Sequence, residues 1–184
     1  LEEIESPRVD AWVAEKNAHS LGTLQADPVY DGLHQQALEI LQSRDRIPYG
    51  SIKRGGFVEN FWQDADHVRG IWRRTTLQSY GTDNPQWETI LDIDALSASE
   101  GANWVYKGAT CLPPEDRYCL ISLSDGGKDA TTVREFDKQT RQFVEGGFNL
   151  PESKSGVTWI DRDTLLISYA YDPSTVTNSG YARS

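Results

Sequence analysis

A strand-turn-strand unit that returns about every 50 residues constrains this chain more than any other feature. Residues 57–63, 67–75 and 87–94 are short, rich in β-branched and aromatic side chains, and separated by Asp64-Ala65-Asp66 or by the polar, Pro-containing stretch 79–85. Each reads as a strand and the separators read as turns, so residues 56–94 form an antiparallel meander. Residues 104–108, 117–124, 131–137 and 141–144 repeat the pattern, and 156–161 with 163–169 begins a third copy. Units of this kind bury their faces against neighbours, as propeller blades do. The expected class is mainly β with N-terminal helices: two amphipathic helices, then antiparallel blades of a truncated β-propeller.

The helices come first. Ser6-Pro7 is an N-cap followed by Pro at the first helical position, where the missing amide would be unpaired anyway. Val9, Trp12, Val13, Leu21 and Leu24 then recur at helical spacing opposite Glu15, Lys16 and Asn17. Asp27-Pro28 repeats the device, and Tyr30, Leu33, Ala37, Leu38 and Leu41 stripe a second helix ending near Gln42. An isolated helix pair is marginal in water, so these stripes need a surface to cover. Residues 44–56 change to charge, Pro and Gly, and the main boundary is placed there.

Charge bounds the partners. With 28 acidic and 18 basic residues the net charge is −10, which repels phosphate backbones, so no nucleic-acid partner is expected. The one dense basic run, Arg69 to Arg74, alternates with Ile71 and Trp72 and reads as a solvated strand edge. No window reaches the roughly 18 apolar residues a membrane span needs, and the chain is read as soluble, without a membrane partner. The chain starts at Leu1, contains no Met, and stops just after its third repeat begins; it is read as a piece of a longer protein, with mobility expected after Asp172.

Candidate chemistry is sparse. Cys111 and Cys119 lack metal-ligand spacing and flank a turn; a cross-strand disulfide requires an odd loop between them, and two reduced, half-buried thiols are the default expectation. His19 and His34 fall on the helices as exposed or capping residues, while His67 is expected to pair with Asp64 or Asp66. No metal and no cofactor are expected. The acid pairs Glu2/Glu3, Asp92/Asp94 and Asp161/Asp163 follow from acid abundance and turn formation. Gly126-Gly127 and Gly146-Gly147 read as hairpin glycines, since neither pair opens a helix and no Lys-Ser/Thr follows. The Gly-x-Ser-x-Gly turn of a hydrolase nucleophile does not occur, and the last His, His67, precedes most of the chain, so no catalytic residue is assigned here.

The opening, residues 1–7 with Ala11-Trp12-Val13 and Asn17, resembles that of the prolyl oligopeptidase family of serine peptidases. Residues 45–49, 57–62, 67–75, 87–92 and 123–130 are similar to the family's N-terminal region in order and spacing, so the resemblance covers essentially the whole chain. It implies that residues 1–50 pack on an α/β-hydrolase domain of the parent, and that residues 51–184 supply blades one, two and the start of three of a seven-bladed propeller. It implies a parent that cleaves short peptides, usually after proline, with a Ser-Asp-His triad outside this chain, which alone is expected to be inactive. In some relatives an aromatic residue faces the peptidase cavity where Lys154 falls here, making Lys154 a substrate-facing candidate. The residues leave one alternative open, a non-enzymatic propeller-like binding or assembly module, and exposed sheet edges make self-association of the isolated piece an expectation in either case.

Overall fold

The computed structural model describes residues 6–43, 45–169, 173–177 and 181. Residues 1–5 of the opening motif and half of the tail after Asp172, residues 178–180 and 182–184, lie outside the described residues, so neither the motif nor the expected mobility is addressed by them. The chain divides after Asp45 into two compact units.

The first unit is helical. α1 spans Pro7–Gln25, and the Ser6 hydroxyl accepts from the Val9 amide at 3.3 Å, while α2 spans Tyr30–Gln42. Neither helix buries a residue: Leu21, Leu24, Leu33 and Leu41 of the two stripes are more than half exposed.

The second unit is a series of antiparallel sheets. β1 (Ser51–Lys53), β2 (Phe57–Trp62), β3 (Ile71–Thr76) and β4 (Glu88–Asp92) form a four-stranded meander in chain order. The short helix α3 (Leu77–Tyr80) sits between β3 and β4, and α4 (Ile93–Glu100) follows β4. A second sheet runs β5 (Trp104–Cys111), β6 (Tyr118–Asp125), β7 (Thr131–Asp137), with both β8 (Gln142–Phe143) and β9 (Asn149–Ser153) paired to β7. Its outer strand is thus one line broken at residues 144–148. β10 (Gly156–Asp161) and β11 (Thr164–Ser168) make a hairpin that starts a third sheet, and the Trp159 indole donates to Thr110 O at 2.8 Å on β5.

Three strand expectations need correction. Residues 67–70 are not strand, because the Arg69 and Gly70 amides donate to the Asp94 carboxylate instead of to a ladder. Residues 93–94 turn into α4 because Asp92 caps it, accepting from the Ala95 amide at 2.9 Å, and Gly101 ends it at φ 63°. The run around Arg73 is no solvated edge: β3 lies between β2 and β4, and a bulge at Trp72/Arg73 re-aims the arginine.

The core lies between the first two sheets. Trp72, Ile90 and Leu91 from the first, with Ile93 from α4, pack with Cys119, Ile121, Leu123 and Phe136 from the second, bordered by Phe61, Trp104 and Tyr106.

Candidate functional site

Alternation along β2 sends Phe57, Glu59 and Phe61 to the face that meets the second sheet. Phe61 stacks on Tyr106 with ring centroids 4.7 Å apart, and Trp72 leans on both Tyr106 and Phe136 at 6.4 Å. Below this aromatic seam the Lys138 ammonium donates to Glu59 Oε1 at 2.7 Å, both side chains being more than nine-tenths buried. Glu59 Oε2 has no hydrogen-bond partner among the described residues. Burial, and secondarily the Glu59 charge, push the Tyr106 hydroxyl well above the usual phenol range.

The ion pair stands between two clefts. One, of about 170 Å³, is walled by Phe61, Trp72, Tyr106 and Cys111 with Ser51 and Lys53 at its side. The other, of about 300 Å³, is lined by Arg54, Arg74, Arg117 and Lys138 together with Glu59, Glu115 and Asp116. Lys138 follows β7 and Glu59 sits in mid-strand, separated by 79 residues, so no local pattern could have announced their meeting.

On the other face of the first sheet the basic run is ordered by aromatic stacking. Arg73 lies 4.2 Å from both the Trp62 and Trp87 rings and donates to Asn60 Oδ1 at 2.9 Å, while Arg46 covers Trp62 at 4.3 Å. Burial lowers the Arg73 guanidinium to about 10, with Asp64 opposing and Arg46 reinforcing the shift. His67 Nδ1 lies 2.9 Å from Asp64 Oδ1. Burial works against the Asp64 charge, but hydrogen bonds from the Trp62 indole, the His67 ring and the His67 and Asp66 amides prevail and hold its carboxyl well below the usual range.

Cys111 and Cys119 are directly opposite across β5 and β6 and are joined by a disulfide, so the default of reduced thiols gives way. Seven residues separate them, which places both side chains on one face of the hairpin. Lys154, just after β9, holds its ammonium 4.5 Å from the Tyr181 ring and 3.7 Å from Asp129 Oδ2, beside a cleft that also includes Ser155 and Ser168. His34 stacks on Tyr30 along α2. Asp161 accepts from the Asp163 amide in the β10–β11 turn, and Asp92 and Asp94 serve the cap and the amides already described. Among the described residues no three His, Cys, Asp or Glu gather where a metal ion could be held.

Three comparisons bear on this arrangement. The model of the prolyl oligopeptidase N-terminal β-propeller domain matches residues 1–184. The chain belongs to the prolyl oligopeptidase family. It is 51 % identical over 182 residues to an uncharacterized peptidase, y4nA, of Sinorhizobium fredii, covering 99 % of this chain and 25 % of that protein. It is 34 % identical to an uncharacterized peptidase, RP174, of Rickettsia prowazekii, covering 100 % of this chain and 26 % of that one. Among solved structures, a post-proline cleaving enzyme from Rickettsia typhi superposes with a TM-score of 0.89 at 34 % identity, over 99 % of this chain and 27 % of the enzyme.

Membership of the prolyl oligopeptidase family places the consecutive antiparallel sheets in that family's N-terminal β-propeller domain, and the Glu59–Lys138 pair is a contact between the first two sheets. The chain spans about a quarter of the length of the relatives it matches. Among the described residues no helix is long and apolar enough to cross a membrane.

Proposed function

We propose that this chain is the N-terminal propeller portion of a serine peptidase that hydrolyses short peptides after proline. The observation that carries the reading is the 0.89 TM-score to the post-proline cleaving enzyme of Rickettsia typhi across 99 % of the chain. In this reading the remainder of the protein supplies an α/β-hydrolase domain with the Ser-Asp-His triad. Its serine attacks the scissile carbonyl, histidine takes the serine proton and returns it to the leaving amine, aspartate orients the histidine, and preorganised donors hold the oxyanion.

The chain's own residues then act on access. Residues 1–50 buttress the hydrolase, which accounts for the exposed apolar stripes of α1 and α2, and the blades restrict entry to short, flexible peptides. Lys154 is assigned a substrate-facing place beside its cleft with Asp129 and Tyr181. By itself the chain is inactive in this reading. The test is hydrolysis of a chromogenic Xaa-Pro peptide by the full-length protein and by residues 1–184 alone. Activity confined to the full-length protein, and lost to a serine-directed phosphonate, supports the proposal. Equal activity of the piece, or an inert full-length protein, rejects it.

A further inference from the structure

The two ends of the Cys111–Cys119 bond meet the same apolar cluster but differ in burial and in access to a cleft. Cys119 is fully buried, packed in the apolar cluster with Trp72, Ile121 and Phe136. Cys111 is half-buried at the end of β5 and lines the 170 Å³ cleft between the first two sheets, in company with Ser51, Lys53 and Glu59. The hairpin does not depend on the bond for its register: β5 and β6 pair from Trp104/Asp125 to Thr110/Leu120, and the Leu112 amide closes the turn on Tyr118 O at 2.8 Å.

We propose that Cys111–Cys119 is a thiol-exchange site, entered at Cys111 from this cleft, with a small dithiol as its reductant. A thiolate of the reductant attacks Cys111 Sγ, the S–S bond breaks, and its electron pair passes to Cys119 Sγ, which takes up a proton. The second thiolate then attacks the reductant's sulfur in the mixed disulfide, releases Cys111 and closes the reductant's own disulfide. Two electrons and two protons move from the dithiol to the protein. Attack follows access and so begins at Cys111, while the apolar setting of Cys119 makes it a poor leaving thiolate and slows the exchange. Once reduced, Cys111 is the thiol that reagents meet, and Cys119 behaves as a core residue.

The test is native labelling of the full-length protein with N-ethylmaleimide, before and after dithiothreitol, with labelled peptides mapped by mass spectrometry. Before reduction neither cysteine should be labelled. After it, Cys111 should be labelled at least about tenfold faster than Cys119, following thiol accessibility. Cys119→Ser should expose a single thiol labelled at the fast rate without reductant, and Cys111→Ser should leave one labelled only on denaturation. Two free thiols in aerobically purified protein, equal labelling rates, or a bond that resists dithiothreitol until the protein is denatured would each overturn the proposal. Should a variant fail to fold, the wild-type rates decide alone.

Discussion

Glu59, on β2 of the first sheet, and Lys138, directly after β7 of the second, meet at 2.7 Å with 4 % and 7 % of their side chains exposed. A buried pair of this kind adds little net stability over an apolar pair of the same volume, yet removing one partner strands a charge. Lys138→Met should therefore destabilise the propeller by about 3–5 kcal/mol, whereas Glu59→Leu combined with Lys138→Met should recover most of the loss. Thermal unfolding of the single and double variants measures this, and an additive double variant would contradict it.

Arg73 is stacked between Trp62 and Trp87 and fixed by Asn60. Lysine keeps the charge but not the planar stacking, so Arg73→Lys should cost about 1–2 kcal/mol, nearly as much as Arg73→Ala. Tryptophan fluorescence should shift to the red in both variants. A lysine variant indistinguishable from wild type would show that charge alone suffices.

Gly70 stands at φ 97°, where an added Cβ would lie 2.4 Å from Phe61 Cζ and 2.8 Å from Gln63 Cγ. Left-handed backbone cost and overpacking act together, so Gly70→Ala should lose about 2–4 kcal/mol. Gly101→Ala is the control: its φ is 63°, but nothing lies within 4 Å of the added carbon, and only the backbone part of the loss is expected. Denaturant midpoints of the two variants make the comparison.

These residues also show what a sequence discloses. The start of α1 was legible because Ser6-Pro7 is a local signal, whereas Asp27-Pro28 forms a turn, with Asp27 accepting from the Val29 amide, and α2 begins at Tyr30 without a side-chain cap; most strands were legible from composition and turns, but β1 and β9 were not. His67 beside Asp64 was legible because the partner is three residues away. The first two residues of α4, Ile93 and Asp94, were read as strand and the rest of the helix was left unassigned although Asp92 and Gly101 bracket it, since Ile90, Leu91 and Ile93 carry β-forming side chains across the junction. The odd, seven-residue spacing of Cys111 and Cys119 permitted the bond in the sequence, whereas Glu59–Lys138 rests on how two sheets stack, which no local pattern contains.

Asp64 is expected to contribute to the acid sensitivity of the first sheet. Its folded-state carboxyl ionises well below the unfolded range, so the stabilisation is fully present above the ordinary carboxylate pKa near 4 and is lost as pH falls from there through the folded value. Asp64→Asn should lower stability at neutral pH and flatten the acid limb of a stability-versus-pH curve below about pH 4. An unchanged acid limb would assign that limb to other carboxylates.

The proposed post-proline peptidase activity of the full-length protein is put to the test by product mapping. The full-length protein is incubated with a mixed set of short peptides, some with and some without internal proline, and the new termini are read by mass spectrometry. The expected result is new carboxyl termini at proline in the short proline-containing peptides and intact peptides elsewhere. Cleavage without regard to proline would contradict the specificity, and no cleavage of any peptide would contradict the peptidase reading itself.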